Sequence, residues 1–278
     1  MPHSVTAKSL ILDLLRTSKP SALPVRLLVD TAAIFEISEN ALRVNLNRLI
    51  KRDAIAQDSR GYYQVSETTS PLRNWVSGWR DGEKRIRPWN SQWLSLQLSS
   101  ALKAKAGEQL QRAAYRFGFR QFWDSCWIRP DNLRVNSREL RLLISQLSGK
   151  DDFLLTEVAH FECQHDPAEL WPITSLEQEY QAQTNRLNTS LENLETVDLA
   201  TKFRESFILG GDCIHTLAID PLLPPEMINT DLRDNLTELM HRYDRVCRPF
   251  WQELFSHYKF SHSPAHLEPQ LNQLLAIS

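Results

Sequence analysis

The sequence predicts an α+β chain with three parts: an N-terminal winged helix, a central ferredoxin-like α/β sandwich and a mostly α-helical C-terminal domain. Three observations point there. Residues 1–70 hold three amphipathic stretches followed by two short apolar runs. Between residues 89 and 168, helical and alternating patterns take turns. Residues 169–278 are dominated by long stretches of helical periodicity. A short basic connection, residues 71–88, joins the first part to the second.

Residues 5–16, "VTAKSLILDLLR", carry apolar side chains at helical spacing. Pro20 and Pro24 bracket a connection to a second helix, residues 25–35, "VRLLVDTAAIF". Ser38 is a good N-cap for a third helix. Residues 54–57 and 62–65 read as two strands joined by a turn containing Gly61. Three helices followed by a hairpin is the element order of a winged helix, and "TTSP", residues 68–71, marks its edge. Residues 72–88 read as a helix and linker, with Trp75 and Trp79 four apart; with Trp89 these are expected to fasten the first part to the next.

The pattern changes after Pro88. Residues 93–100, "WLSLQLSS", alternate like a strand, and residues 103–117 form an amphipathic helix. Residues 120–128, "RQFWDSCWI", read as one strand halted by Pro130. A helix over 137–147 and a strand over 152–161 complete a small α/β sandwich. Long helices are then expected over 173–194, 203–219 and 232–258, with "DPLLPP", residues 220–225, as the break between the last two.

Composition narrows the functional classes. The 278 residues are 42% apolar and 24% charged, as in globular domains, and no apolar run is long enough to span a bilayer. The N-terminus lacks the apolar block of a signal peptide, so a cytoplasmic protein is expected. Four widely spaced cysteines read as reduced thiols. Only eight glycines are present, and no phosphate-cradling glycine motif is among them. Residues 1–90 hold 14 Lys/Arg against 9 Asp/Glu, and the remainder 18 against 25. A basic first third on an acidic body suggests an anionic partner at one end.

The third helix sharpens that suggestion. Leu42, Leu46, Leu49 and Ile50 form one stripe on its wheel, the expected core face. The other side carries Asn40, Val44, Asn47, Arg48 and Lys51, flanked by Arg43 and Asn45, and no acid follows Glu39. Solvated helix faces usually mix Glu with Lys. Guanidinium groups can bridge guanine O6 and N7, amides can bridge adenine N6 and N7, and Val44 can touch a thymine methyl. Ser38 through Arg43 would enter a major groove deepest; Arg48, Lys51 and Arg52 would meet phosphates, and Arg60 at the hairpin tip would reach the backbone or minor groove. The bland alternative is an ordinary basic surface helix.

Larger segments add a resemblance. "SENALRVNLNRLIKRDAIAQDSRGYYQVS", residues 38–66, is similar to the winged helix of PaaX-type repressors of phenylacetic acid degradation genes. "GFRQFWDSCWIRP", residues 118–130, resembles that family's central segment, and "IDPLLPPEMI", residues 219–228, its C-terminal Asp-Pro-x-Leu-Pro element. The resemblance implies a dimeric repressor bound to a double-stranded DNA operator and released by an effector such as phenylacetyl-CoA, an aryl-acyl-CoA. No cofactor is expected.

Other constellations compete. Trp123 and Trp127, on one face of the expected strand, are candidates to wall an aromatic-acyl pocket with Arg129 nearby to meet an anion; simple core packing is the alternative. His160, Cys163 and His165, or His262 and His266, have spacings that zinc could use, but no second compact ligand pair accompanies either, so no metal site is expected. No motif unites a nucleophile, a base and an orienting group, so an enzyme is not expected. A nucleic-acid- or acyl-CoA-acting enzyme with an appended winged helix is the competing possibility.

Overall fold

The computed structural model describes residues 5–17, 22–58, 60–66, 75, 77–100, 104–164 and 166–256. The expected domain edge at 68–71, His165, His262 and His266 lie outside them. The chain is α+β, with two small antiparallel sheets among many helices. It divides into two compact units. One comprises Met1–Thr69, Asn185–His215 and Glu238–Ser278; the other comprises Ser70–Thr184 and Thr216–Thr237.

In the first unit, α1 (Ala7–Thr17) begins where Thr6 and Ser9 cap one another: the Ser9 amide donates to Thr6 Oγ1 at 3.1 Å and the Thr6 amide to Ser9 Oγ at 2.9 Å. Its Leu10, Ile11, Leu14 and Leu15 are fully buried. A two-residue strand, β1 (Leu23–Pro24), precedes α2 (Val25–Ile34). The turn after α2 reverses at Glu36, whose φ is 59°. Next come α3 (Glu39–Lys51), β2 (Ile55–Gln57) and β3 (Tyr62–Val65). The sheet order is β1-β3-β2, with Leu23 opposite Tyr63 and Ala56 opposite Gln64. Within the same unit Phe35 packs edge-on against Phe203 and Phe207, at 6.1 and 5.1 Å between ring centroids. Arg204 reaches Glu36 at 3.2 Å.

In the second unit, the stretch expected as a helix and linker over 72–88 is helical at Trp75 and Ser77 and continues as a tight 3₁₀ segment, Gly78–Arg85. Gly82 breaks it with φ 48°. Trp79 is fully buried there, Trp75 packs on Phe117 at 5.0 Å and Trp89 on Trp93 at 5.3 Å. Those contacts of Trp75 and Trp89 are all made inside this unit.

The elements that follow are β4 (Trp93–Leu98), α4 (Ala104–Arg116), β5 (Arg120–Trp123), β6 (Cys126–Pro130), α5 (Ser137–Ser148) and β7 (Phe153–Val158). The sheet runs β5-β6-β4-β7, every pair antiparallel. Leu94, Leu96, Leu110, Phe117, Leu140 and Ile144 are buried together as its core. Residues 120–128 are thus not one strand. They fold into a hairpin about Asp124 and Ser125, with a register shift between Gln121 and Trp123.

Three long helices close the chain: α6 (Ile173–Asn193), α7 (Leu199–Ala218) and α8 (Thr230–Ser256). Between the last two, the "DPLLPP" break is tied into the second unit. Tyr180 donates to Asp220, and the Arg233 guanidinium lies 3.3 Å from Asp220 Oδ1 and 2.6 Å from Glu83 Oε1. Burial first, then the Asp220 carboxylate, pushes the Tyr180 phenol up, so it remains a donor.

Candidate nucleic-acid interface

The face in question begins at the cap of α3. Ser38 adopts an extended conformation, and its hydroxyl accepts the Ala41 amide at 3.2 Å. That hydroxyl is therefore occupied in fixing the helix start. Leu42, Leu46 and Leu49 are buried, and this anchors the helix on one stripe. Rotated away from it, Asn40, Arg43, Val44, Asn47, Arg48 and Lys51 are all exposed. Val44, at 39%, is one of the few large apolar side chains so exposed among the described residues.

Two groups on this face are engaged locally. Arg43 Nε lies 2.7 Å from Glu39 Oε1, an i,i+4 pair whose side chains are each 54% exposed. Such a solvated pair contributes only about 0.3–0.5 kcal/mol, so the guanidinium is easily redirected. Asn45, read as a flank, is half-buried and donates back to the Ala41 carbonyl at 2.9 Å. Arg43 also acts on the sheet: burial pushes the Tyr63 hydroxyl up, and the Arg43 charge opposes that shift.

The hairpin between β2 and β3 is organised by a residue that pattern reading did not single out. Asp58 Oδ1 accepts the amides of Arg60 at 2.9 Å and Tyr62 at 2.8 Å. Gly61 takes φ 79°. Its carbonyl receives the Val25 amide at 3.1 Å, which ties the turn to the start of α2. Arg60 is exposed at this turn. The signal for Asp58 was present, since an Asp three residues before a Gly is turn chemistry.

The second expected constellation does not assemble. Trp123 and Trp127 lie on opposite strands of the hairpin rather than on one face of one strand; Trp123 is 66% exposed and Trp127 only 9%. Arg129 is turned to the protein's own groups. Its guanidinium is buried and engaged on all three nitrogens: it donates to the carbonyls of Phe117, Pro130 (3.0 Å) and Pro221 (3.3 Å) and to Asn132 Oδ1 (3.0 Å). Arg129 is a structural strut between β6 and the "DPLLPP" segment. The Asn132 amide donates to Leu222 O at 2.7 Å in parallel.

Among the described residues no group of three or more His, Cys, Asp or Glu is placed to hold a metal ion, and no helix is long and apolar enough to cross a membrane. No disulfide joins Cys126, Cys163, Cys213 or Cys247 among the described residues. Burial pushes the Cys247 thiol up to about 12.

Models of known protein families give no match to this chain. Curated proteins give none either. Among solved structures, it is similar to the uncharacterized protein Rv0674 from Mycobacterium tuberculosis. The TM-score is 0.60 at 20% sequence identity, over 90% of this chain and 98% of that one. At this identity the likeness shows a common fold and nothing further.

Proposed function

We propose that the chain is a sequence-specific DNA-binding transcriptional regulator, a PaaX-like repressor that acts as a homodimer. The observation that carries the reading is the outward face of α3. Asn40, Arg43, Val44, Asn47, Arg48 and Lys51 share it, all solvent-exposed, with Glu39 at its edge as the one acid. The order α1-β1-α2-α3-β2-β3 with a β1-β3-β2 sheet supports a winged helix with α3 as its recognition helix. The order β4-α4-β5-β6-α5-β7 supports a ferredoxin-like middle.

Selection from random duplexes by the full-length protein tests the reading and assumes no operator sequence. The expected product is a roughly palindromic site with half-sites about 34 Å, or a multiple, apart. Its affinity should fall steeply with salt as phosphate counterions are released. Arg43→Ala relaxes sequence preference, whereas Lys51→Ala weakens binding to all sequences and reduces the salt slope by about one. Absence of any salt-sensitive complex overturns the proposal. The effector implied by the PaaX resemblance, an aryl-acyl-CoA, acts only if it binds one arrangement of the dimer better than the other. Release of the selected duplex by phenylacetyl-CoA measures that difference.

A further inference from the structure

A cavity of about 380 Å³ opens beside α4, lined by Trp127 and by Glu108, Gln111, Arg112, Tyr115 and Arg116. The size is at the lower end of the range for small-molecule sites, about 300–1,000 Å³. We propose that this cavity binds a small organic anion, a carboxylate or phosphate monoester carried on a flat apolar body.

The first argument is an unsatisfied donor. Buried tryptophans normally find an acceptor for the indole N–H. Here Trp89 donates to Gln92 O at 2.6 Å, Trp171 to Gly118 O at 3.0 Å and Trp251 to Ser206 Oγ at 3.0 Å. Trp127 is only 9% exposed, yet its Nε1 is buried with no partner. Leaving such a donor unmade is costly. Trp127 lines the cavity together with side chains of α4.

The second argument is charge. Arg112 lies 3.6 Å from Glu108 in an exposed pair of little strength. Arg116 has no carboxylate partner among the described residues. Arg120 sits with Cζ 3.9 Å from the Tyr115 ring centroid, pinned by a 2.8 Å bond to Phe119 O. Two guanidinium groups, of Arg112 and Arg116, therefore line the cavity with one carboxylate, Glu108, on a body that is otherwise acidic. A cation in the last turn of a helix is ordinary dipole compensation, which accounts for Arg116 but not for the orphaned indole.

The third argument is shape. Tyr115, 51% exposed and held from one side by Arg120, offers a fixed aromatic wall. A flat apolar body can lie against it while the anionic end meets Arg116. The anion partner is thus an exposed arginine of α4, not the buried Arg129. The proposal stands independently of the DNA reading.

Nuclear magnetic resonance of the ¹⁵N-labelled full chain, without DNA, tests it. The Trp127 indole resonance is assigned with Trp127→Phe, and the probes are benzoate, phenyl phosphate, benzyl alcohol and inorganic phosphate. A saturable downfield shift of that resonance with benzoate or phenyl phosphate is expected, and the tighter of the two identifies the head group. Arg116→Gln, a change on an exposed side chain that leaves the fold intact, should raise the Kd about tenfold. Either of two results with the unmodified protein overturns the proposal: neither anion moves the resonance saturably, or benzyl alcohol or inorganic phosphate binds as tightly as the aryl anions. An Arg116→Gln protein with unchanged Kd does so as well.

Discussion

A methyl group on Gly118 would sit 2.7 Å from the Pro221 carbonyl oxygen and 2.9 Å from Arg129 Nη1, at a φ of +82° that side chains rarely adopt. The residue also gives its own carbonyl to the Trp171 indole at 3.0 Å. Gly118→Ala must therefore displace backbone as well as adopt a strained conformation, and a loss of about 2–3 kcal/mol is expected in urea unfolding. Gly149 provides the contrast. It caps α5 at φ +65° with nothing within 4 Å of an added carbon. Gly149→Ala should lose only about 1 kcal/mol. Equal losses at the two positions would mean that conformation alone, and not the crowding against Pro221, governs Gly118. The crowding at Gly118 is not written locally, because the neighbour that restricts it lies about a hundred residues along the chain.

At the scale of an element, α3 shows what short-range chemistry can specify. Its cap, its leucine stripe and its end are set by residues within one or two turns, so the sequence places Ser38, Leu42, Leu46 and Leu49 as the structure does. Removing the cap is a clean test: Ser38→Ala should lower stability by about 1 kcal/mol in thermal unfolding while leaving the exposed face chemically unchanged. If stability does not change, the Ser38 hydroxyl is not the working cap. The hairpin over residues 120–130 was not legible in the same way. Phe122, Trp123 and Trp127 dominate the run, and its turn pair, Asp124 and Ser125, lacks the glycine of the strongest hairpin signals. Periodicity alone therefore joined two strands into one and put Trp123 beside Trp127. The fate of Arg129 was equally hidden, since two of its acceptors, on Phe117 and Pro221, are distant in sequence.

At the scale of the molecule, the N-terminal elements are completed by helices that arrive much later. Phe35 is only 8% exposed, and its neighbours are Phe203 and Phe207 of α7. A fragment ending at residue 70 loses those rings and the Glu36–Arg204 pair, so it should melt below the full chain. In the full chain, Phe35→Ala should cost about 3–5 kcal/mol by calorimetry. Equal melting of fragment and chain would show that the aromatic contact is dispensable. The small sheet beside this contact has a further property. Its outer strand β1 is only two residues long and ends in Pro24, which has no N–H to offer. A foreign strand approaching that margin finds almost nothing to zip onto. One side of the sheet is thereby guarded against accretion into fibrils when the protein is concentrated.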